Sequence, residues 1–188
     1  MDSELTDETL MMRYRDDDEQ AFASLYTRHK GGLYRYMLRQ CGNATTAEEL
    51  FHDVWMKLIN ARKRYTASAK FTTYLYHMAH NRLIDYYRKH RSGVPVSFED
   101  NDCPSLDDIA DPVSIDPGIK EDLRRQIVYL LALIDALPEA QREAYLLHEE
   151  GGLNIDEIAE VTRVSKETAK SRLRYAISKI RKQLGESL

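Results

Sequence analysis

The sequence predicts an all-α protein of two small helical domains joined by a flexible, acidic, proline-rich linker. Apolar residues recur at three- and four-residue spacing in several segments, which is typical of amphipathic helices. Proline and acidic residues concentrate in one central stretch, and strongly basic blocks lie on either side of it. We therefore predict domains at 19–91 and 119–188, with a linker at 92–118.

The composition is that of a soluble globular protein, with 188 residues, 43% of them hydrophobic and 31% charged. No apolar run approaches the ~20 residues that a bilayer crossing needs, and the acidic start MDSELTDETL lacks the features of a signal peptide. Cys41 and Cys103 lie far apart without a C-x-x-C pair, so neither a disulfide framework nor a cysteine zinc site is indicated. We expect a cytoplasmic protein with no membrane insertion and with free thiols.

Charge is distributed unevenly around a net value of −4. Asp85 is the only acidic residue within the basic stretch 62–91, and Glu167 is the only one within 163–182. Because duplex and single-stranded nucleic acids attract such cationic surfaces, the sequence predicts two separate nucleic-acid contacts.

Three helices are predicted before the linker. The first spans about 19–40, with Gly31 and Gly32 weakening its middle, and its apolar face carries Phe22, Leu25, Tyr26, His29, Leu33, Tyr36 and Met37. The second spans 46–62 and is predicted to begin with a capping box between Thr46 and Glu49. The third spans 72–90 and is predicted to bury Leu75, Met78, Ala79, Leu83 and either Tyr86 or Tyr87.

A polar row runs along the other side of the third helix, formed by His77, Asn81, Asp85 and Arg88 at i, i+4, i+8 and i+11. Arg82 and Lys89 lie beside it, and aromatic residues surround its start: Tyr65, Phe71, Tyr74 and Tyr76. Rings next to cations suit single-stranded nucleic acid, since every base offers a stacking face and every phosphate a charge. The alternative is that these rings belong to the hydrophobic core, and we expect at least Phe71 to be buried.

A metal site of His77, His80 and His90 is disfavoured, because no carboxylate or thiolate completes the set at a suitable spacing. The sequence therefore indicates no metal and no cofactor.

The second helix leaves an acidic patch away from its buried stripe, made of Glu48, Glu49, His52 and Asp53. Such a patch is ordinarily a solvent-exposed helix face. The more specific interpretation is that it binds a partner protein. The linker holds Pro95, Pro104, Pro112 and Pro117 but no Lys or Arg. It is either a plain tether or an acidic segment that imitates a nucleic-acid strand in a basic channel of a partner.

Residues 154–184 predict a helix-turn-helix. Asn154 and Glu157 have capping-box spacing, and Ser165 is a good N-cap for a second helix. That helix has one apolar stripe, formed by Ala169, Leu173, Ala176, Ile177, Ile180 and Leu184. Its opposite face carries Lys166, Glu167, Lys170, Ser171, Arg174 and Ser178, with Arg172 on the flank.

A solvated basic face is the simpler alternative, but the capped turn and the cations together favour major-groove binding. Arg163 stands where glycine is usual in the turn. A left-handed arginine would cost about 1 kcal/mol, so we expect a slightly irregular turn.

Three motifs in this order resemble the extracytoplasmic-function group of bacterial RNA polymerase sigma factors. They are the AEELFHD helix, the row of Ala79, Asn81, Asp85 and Arg88, and the run from Leu137 to Leu173 that contains TAKSRL. The resemblance covers nearly the whole chain. It implies an alternative sigma factor that binds core RNA polymerase, recognises −35 and −10 promoter elements and helps to melt the −10 region.

The resemblance also implies roles for residues. The polymerase clamp would bind the patch of Glu48, Glu49, His52 and Asp53. The non-template strand of the −10 element would lie near Tyr65, Phe71, Tyr74, His77, Asn81, Arg82, Asp85 and Arg88. At the −35 element, Lys170, Ser171 and Arg174 would contact base edges, and Lys166, Arg172 and Tyr175 the backbone. An anti-sigma factor is a further partner that the resemblance suggests.

Glu167 and Ala169 depart from the usual Gly and Val of this group, so we expect a different promoter preference. Two rival functions have less support. A duplex-binding regulator with a dimerising or ligand-sensing N-terminal domain leaves the single-strand features of 72–90 unexplained. A nuclease would need metal-binding carboxylates that converge on one site. No catalytic residue is expected.

Overall fold

The computed structural model describes residues 5–91 and 117–186, and all regular structure in these residues is helical, as predicted. The predicted linker, apart from its last two residues, lies outside the described residues. The helices are α1 (Asp7–Arg15), α2 (Glu19–Cys41), α3 (Ala44–Ala61), α4 (Phe71–Arg91), α5 (Pro117–Asp135), α6 (Glu139–Glu149), α7 (Ile155–Thr162) and α8 (Lys166–Glu186). In residues 5–91 and 117–186, no helix has both the length and the apolar character that a membrane crossing requires.

Helices α1 to α4 form the N-terminal domain around one hydrophobic core. Four residues of the predicted stripe of α2 are buried, namely Leu25, Leu33, Tyr36 and Met37, and the other three, Phe22, Tyr26 and His29, are partly buried. An aromatic cluster links α2 to α3, where the ring of Tyr26 lies 5.0 Å from that of Trp55. Such ring pairs add to the stabilisation that burial of their area provides.

Helix α3 begins earlier than the sequence predicted. The proposed Thr46–Glu49 capping box is wrong, because Asn43 is the N-cap and its side chain accepts a hydrogen bond from the Thr46 N–H at 2.9 Å. Gly42 ends α2 in the left-handed conformation, with φ 69°. This places Asn43 in an extended conformation from which its side chain can reach the first turn of α3.

Helix α1 was not predicted, because its segment was considered only as an acidic tail. Thr6 caps it, and Leu10, Met11 and Tyr14 on its inner face are buried. Beyond packing on α2, α1 supports the start of α4. The Glu8 carboxylate accepts a hydrogen bond from the Phe71 N–H at 2.8 Å, so a distant residue satisfies a backbone donor that a helix N-terminus leaves unpaired.

Helices α5 to α8 form the C-terminal domain. The predicted stripe of α8 packs inward, with Ala169, Leu173, Ala176 and Ile180 buried and Ile177 and Leu184 partly buried. Helix α5 begins at Pro117, and proline is favoured at the first helical position because that residue needs no N–H partner. The two domains also contact each other, chiefly through α4 against α7 and α2 against α6.

Candidate nucleic-acid interfaces

The helix-turn-helix has the predicted caps. The Glu157 N–H donates to Asn154 Oδ1 at 3.0 Å, and the Asn154 N–H donates to Glu157 Oε2 at 2.8 Å. Ser165 Oγ accepts from the Thr168 N–H at 3.2 Å. Arg163 is left-handed, with φ 55° and ψ 43°. The expected irregularity is not seen, since the Val164 N–H closes the turn on the Ala159 carbonyl at 3.1 Å.

The predicted groove-facing side chains of α8 lie on one accessible face. Lys170 and Arg174 are exposed, and Ser171 and Arg172 are partly buried. Tyr175 is 55% exposed, and the Arg174 guanidinium lies 5.2 Å from the centre of its ring. Lys166 pairs with Asp156 at 2.8 Å, and this hydrogen bond raises the pKa of the lysine. The face thus presents fixed cations next to a large aromatic ring.

A cavity of about 150 Å³ lies at the start of α4. Its walls come from residues 65–69, from Thr73, Tyr74 and His77, and from Glu160 of α7. This volume is below the ~300–1,000 Å³ of pockets that take drug-sized ligands. The cavity therefore suits one planar ring better than a whole cofactor.

Two of the residues that line this cavity, Tyr65 and Thr73, have buried hydroxyl groups. Tyr65 and Thr73 are each 3% exposed, and neither hydroxyl has a hydrogen-bond partner within residues 5–91 and 117–186. Burial raises the pKa of Tyr65 to about 12, so its hydroxyl remains a neutral donor. Buried polar groups are nearly always paired, so these two hydroxyls are hydrogen-bonding groups whose capacity is unused within the described residues.

The polar row of α4 continues from this cavity. His77 is partly buried, and burial, reinforced by the nearby Arg163 guanidinium, lowers the pKa of its ring. Arg163 Nη2 donates to Asn81 Oδ1 at 3.2 Å. One and two turns further on, Asp85 and Arg88 are exposed.

Two members of the predicted −10 set are buried in the structure. The Phe71 side chain is fully buried, as expected from its apolar character, and its ring lies 5.2 Å from that of His29 in the core. Phe71 therefore presents no exposed ring face in this structure and packs in the hydrophobic core. The ring of Tyr65 also belongs to the core and lies 5.2 Å from that of Tyr74, and Tyr65 is one of the residues that line the cavity. Tyr74 is the partly exposed ring of this group.

The pocket has features that sequence reasoning missed. Thr73 precedes His77 by four residues, so helical spacing could have placed it on the same face. The loop 62–70 is held by contacts with the end of α1 and with the residues that follow α1. No local pattern in the sequence indicates these contacts. Lys63 Nζ donates to the Arg15 carbonyl at 2.8 Å and to the Asp17 carboxylate at 2.6 Å.

The acidic patch of α3 is exposed as predicted, since Glu48, Glu49, His52 and Asp53 all face solvent. Asp53 also accepts from Arg82 Nε at 2.7 Å. This contact joins the acidic patch to the edge of the polar row of α4. Within residues 5–91 and 117–186, no three His, Cys, Asp or Glu side chains converge on a common metal position.

Comparisons with known proteins agree with this architecture. Residues 25–93 match the family model of sigma-70 region 2, and residues 127–180 match that of sigma-70 region 4. The ECF RNA polymerase sigma factor SigK of Mycobacterium tuberculosis is 30% identical in an alignment of length 184 that covers 96% of this chain and 94% of that protein. The RNA polymerase sigma factor CarQ of Myxococcus xanthus is 29% identical, over 94% of this chain and 96% of its own.

Solved structures show the same fold at lower identity. CnrH in complex with the cytosolic domain of CnrY superposes with a TM-score of 0.67 at 18% identity, covering 97% of this chain and 99% of that one. The sigma factor RpoE of Bartonella quintana, in complex with the anti-sigma factor NepR, superposes with a TM-score of 0.64 at 20% identity, covering 87% and 96%. With its region 2 and region 4 domains and relatives of matching length, this chain belongs to the extracytoplasmic-function group of RNA polymerase sigma factors.

Proposed function

We propose that this sigma factor holds a flipped base of the −10 non-template strand in the cavity at the start of α4, which we name the base pocket. The observation that carries the proposal is a cavity of about 150 Å³ lined by the partly exposed Tyr74 and by Tyr65 and Thr73, whose hydroxyls have no hydrogen-bond partner within the described residues. A ring offers a stacking face, and hydroxyls offer hydrogen bonds to the edge of a base.

The rest of the α4 face would guide the strand. Asn81 lies one turn beyond His77, and Asp85 and Arg88 continue the row toward solvent. A neutral His77, whose pKa burial lowers, can both donate and accept a hydrogen bond. Loss of stacking in the duplex costs a few kcal/mol per base, which contacts in the base pocket would offset.

The C-terminal domain would read the −35 element through α8. Lys170, Ser171 and Arg174 are proposed to contact base edges, while Lys166, Arg172 and Tyr175 contact the backbone. The patch of Glu48, Glu49, His52 and Asp53 is proposed to bind the polymerase clamp. We also propose that an anti-sigma factor restrains this chain, as the RpoE–NepR complex suggests. The protein would act in the cytoplasm without catalytic groups of its own.

Tyr74→Ala should impair promoter opening by about tenfold, because stacking on an aromatic ring contributes about 1–3 kcal/mol per base. Holoenzyme reconstituted with core polymerase would first select promoters from a randomised duplex pool. Opening is then measured by the fluorescence of 2-aminopurine in the −10 region. Tyr74→Phe keeps the ring and should open the promoter nearly as well as wild type. Equal opening by Tyr74→Ala and wild type would refute the base pocket.

Arg174→Ala should weaken binding of the same holoenzyme to the duplex −35 region by about tenfold or more, since a bidentate base contact contributes about 1–3 kcal/mol of discrimination. Arg174→Lys keeps the charge but loses the forked geometry, so it should retain backbone attraction and lose discrimination at one base pair. Competition between matched and mutated −35 duplexes measures this. Unchanged discrimination between the matched and mutated duplexes in both variants would show that Arg174 does not recognise a base.

A further inference from the structure

Helix α1 contacts both ends of the loop 62–70, which joins α3 to α4 and forms much of the base pocket. Four residues of this loop line the pocket, namely Tyr65, Thr66, Ser68 and Ala69. Regular structure in the loop is limited to the 3-10 turn Arg62–Arg64. A loop holds side chains less precisely than a helix does, so the shape of the pocket depends on what holds the ends of the loop.

Glu8 of α1 holds the end of the loop that leads into α4. Its Oε1 atom accepts a hydrogen bond from the Phe71 N–H at 2.8 Å, in a partly buried contact. The first N–H groups of a helix have no partner within the helix, and a carboxylate there also lies at the positive end of the helix dipole. Glu8 therefore fixes the point at which the loop becomes helix, just before Thr73 and Tyr74 of the pocket.

The Glu8 carboxylate also acts on a residue inside the loop. Burial is the main cause of the raised pKa of Tyr65, about 12, and the negative charge of Glu8 raises this pKa further. The carboxylate is thus close to the Tyr65 hydroxyl as well as to the first residue of α4. One side chain of α1 is therefore near both walls of the pocket that come from the N-terminal domain.

The other end of the loop is held by the end of α1 and by the turn after it. Lys63 Nζ donates to the Arg15 carbonyl at 2.8 Å and to the Asp17 carboxylate at 2.6 Å. The Arg62 guanidinium lies 5.6 Å from the centre of the Tyr14 ring. Lys63 and Asp17 are more than half exposed, so their ion pair alone contributes little, and several contacts act together here.

Helix α1 is itself fixed to the core of the N-terminal domain. Its Leu10 and Met11 side chains are fully buried. Asp7 Oδ1 accepts from Arg28 Nη1 at 2.7 Å, and Asp7 Oδ2 lies 2.7 Å from His29 Nε2. Burial by itself would raise the pKa of Asp7, but the hydrogen bonds with these two residues of α2 lower it. The carboxylate therefore stays charged and ties α1 to α2.

We propose that α1 positions the base pocket, and that Glu8 is its main positioning residue for promoter opening. This inference rests on the proposed function of the pocket. A loop that is already held in the conformation that receives a base loses less conformational freedom when the base binds. Without the Glu8 hydrogen bond, the loop and the start of α4 would sample other conformations, and the formed pocket would be present in a smaller fraction of molecules.

The test compares two substitutions of Glu8 with a matched substitution elsewhere in the same domain. Glu8→Ala removes the acceptor of the Phe71 N–H. Glu8→Gln removes the charge but keeps a side-chain carbonyl of the same reach, which can still accept the hydrogen bond. Asn43→Ala is the control, because Asn43 also accepts a hydrogen bond from a helix N–H, that of Thr46 at 2.9 Å. It lies at the opposite end of α3 from the loop.

Opening is measured with holoenzyme that contains each full-length variant, on promoter duplex labelled with 2-aminopurine in the −10 region, over a range of holoenzyme concentrations. Glu8→Ala should lower the maximal opening rate about fivefold, as expected for the loss of a helix cap. The concentration for half-maximal opening should not change, because the first contact with duplex does not use the pocket. Glu8→Gln and Asn43→Ala should open the promoter nearly as fast as wild type.

Hydrogen–deuterium exchange of the free full-length chain tests the support of the loop without DNA. The backbone amides of residues 65–72 should exchange faster in Glu8→Ala than in wild type or Asn43→Ala, whereas those of α8 should not change. Urea unfolding should show similar losses of stability in Glu8→Ala and Asn43→Ala. A difference in global stability then cannot explain a difference in opening.

An unchanged maximal opening rate in Glu8→Ala, or an equal loss in Asn43→Ala, would overturn the inference. Opening by Glu8→Gln as slow as that by Glu8→Ala would also overturn it, because the hydrogen bond to Phe71 would then not be the cause. The proposed function is judged separately by Tyr74→Ala in the same assay. Slow opening by Tyr74→Ala together with normal opening by Glu8→Ala would leave the base pocket standing and remove only its positioning by α1.

Discussion

Asp53→Lys is expected to weaken binding to core RNA polymerase by about 100-fold or more. Asp53 is exposed on α3 within the acidic patch. Loss of one partner of a buried interfacial charge pair costs about 2–5 kcal/mol, and a lysine would add repulsion. The dissociation constant is measured by anisotropy of labelled sigma factor titrated with core polymerase. Circular dichroism should show an unchanged helix content.

Arg82→Ala is the matched control for this prediction. Asp53→Lys also breaks the contact with Arg82, so a loss of polymerase binding could arise from that contact alone. Arg82→Ala removes the contact and leaves the Asp53 carboxylate in place. It should bind polymerase at least as tightly as wild type. Equal losses in the two variants, or none in Asp53→Lys, would contradict the assignment of the patch.

Phe71→Ala is expected to lower the free energy of unfolding by about 3–5 kcal/mol, the usual cost of truncating a fully buried aromatic residue. Its side chain is completely enclosed, so the substitution creates a cavity in the hydrophobic core. Urea unfolding followed by circular dichroism measures the change.

Tyr175→Ala serves as the control for stability, because 55% of Tyr175 is exposed, and it should change stability by less than about 0.5 kcal/mol. A loss below about 1 kcal/mol in Phe71→Ala would mean that Phe71 is not the packing residue inferred here. In that case, its place among the strand-contacting residues would have to be reconsidered.

The helices and the chemical character of their faces could be predicted from the sequence, because both depend on local spacing. The capping box of α7 and the buried stripe of α8 are examples. The predicted N-cap of α3 was wrong because Asn43 competes with Thr46 for that position, and the conformation of Gly42 decides between them. Periodicity alone could not separate Tyr74, which is partly exposed, from Phe71 three residues before it.

Contacts between distant segments were beyond sequence reasoning. Nothing local indicates that Glu8 caps α4 or that Glu150 meets Arg35, since these partners lie 63 and 115 residues apart. Gly32 illustrates the limit well. Its weakening effect on α2 could be predicted, but the carbonyl oxygen that requires a glycine there belongs to another domain.

The contact of Asp53 with Arg82 links the acidic patch of α3 to the polar row of α4. One carboxylate cannot give its full interaction to Arg82 and to a cation of the polymerase at the same time. A polymerase that bound Asp53, as proposed, would release the Arg82 guanidinium for the DNA that Arg82 is proposed to contact. By reciprocity, DNA that bound Arg82 would increase the affinity for the polymerase by the same factor. A single surface ion pair can thus favour assembly in which enzyme and promoter bind together rather than singly.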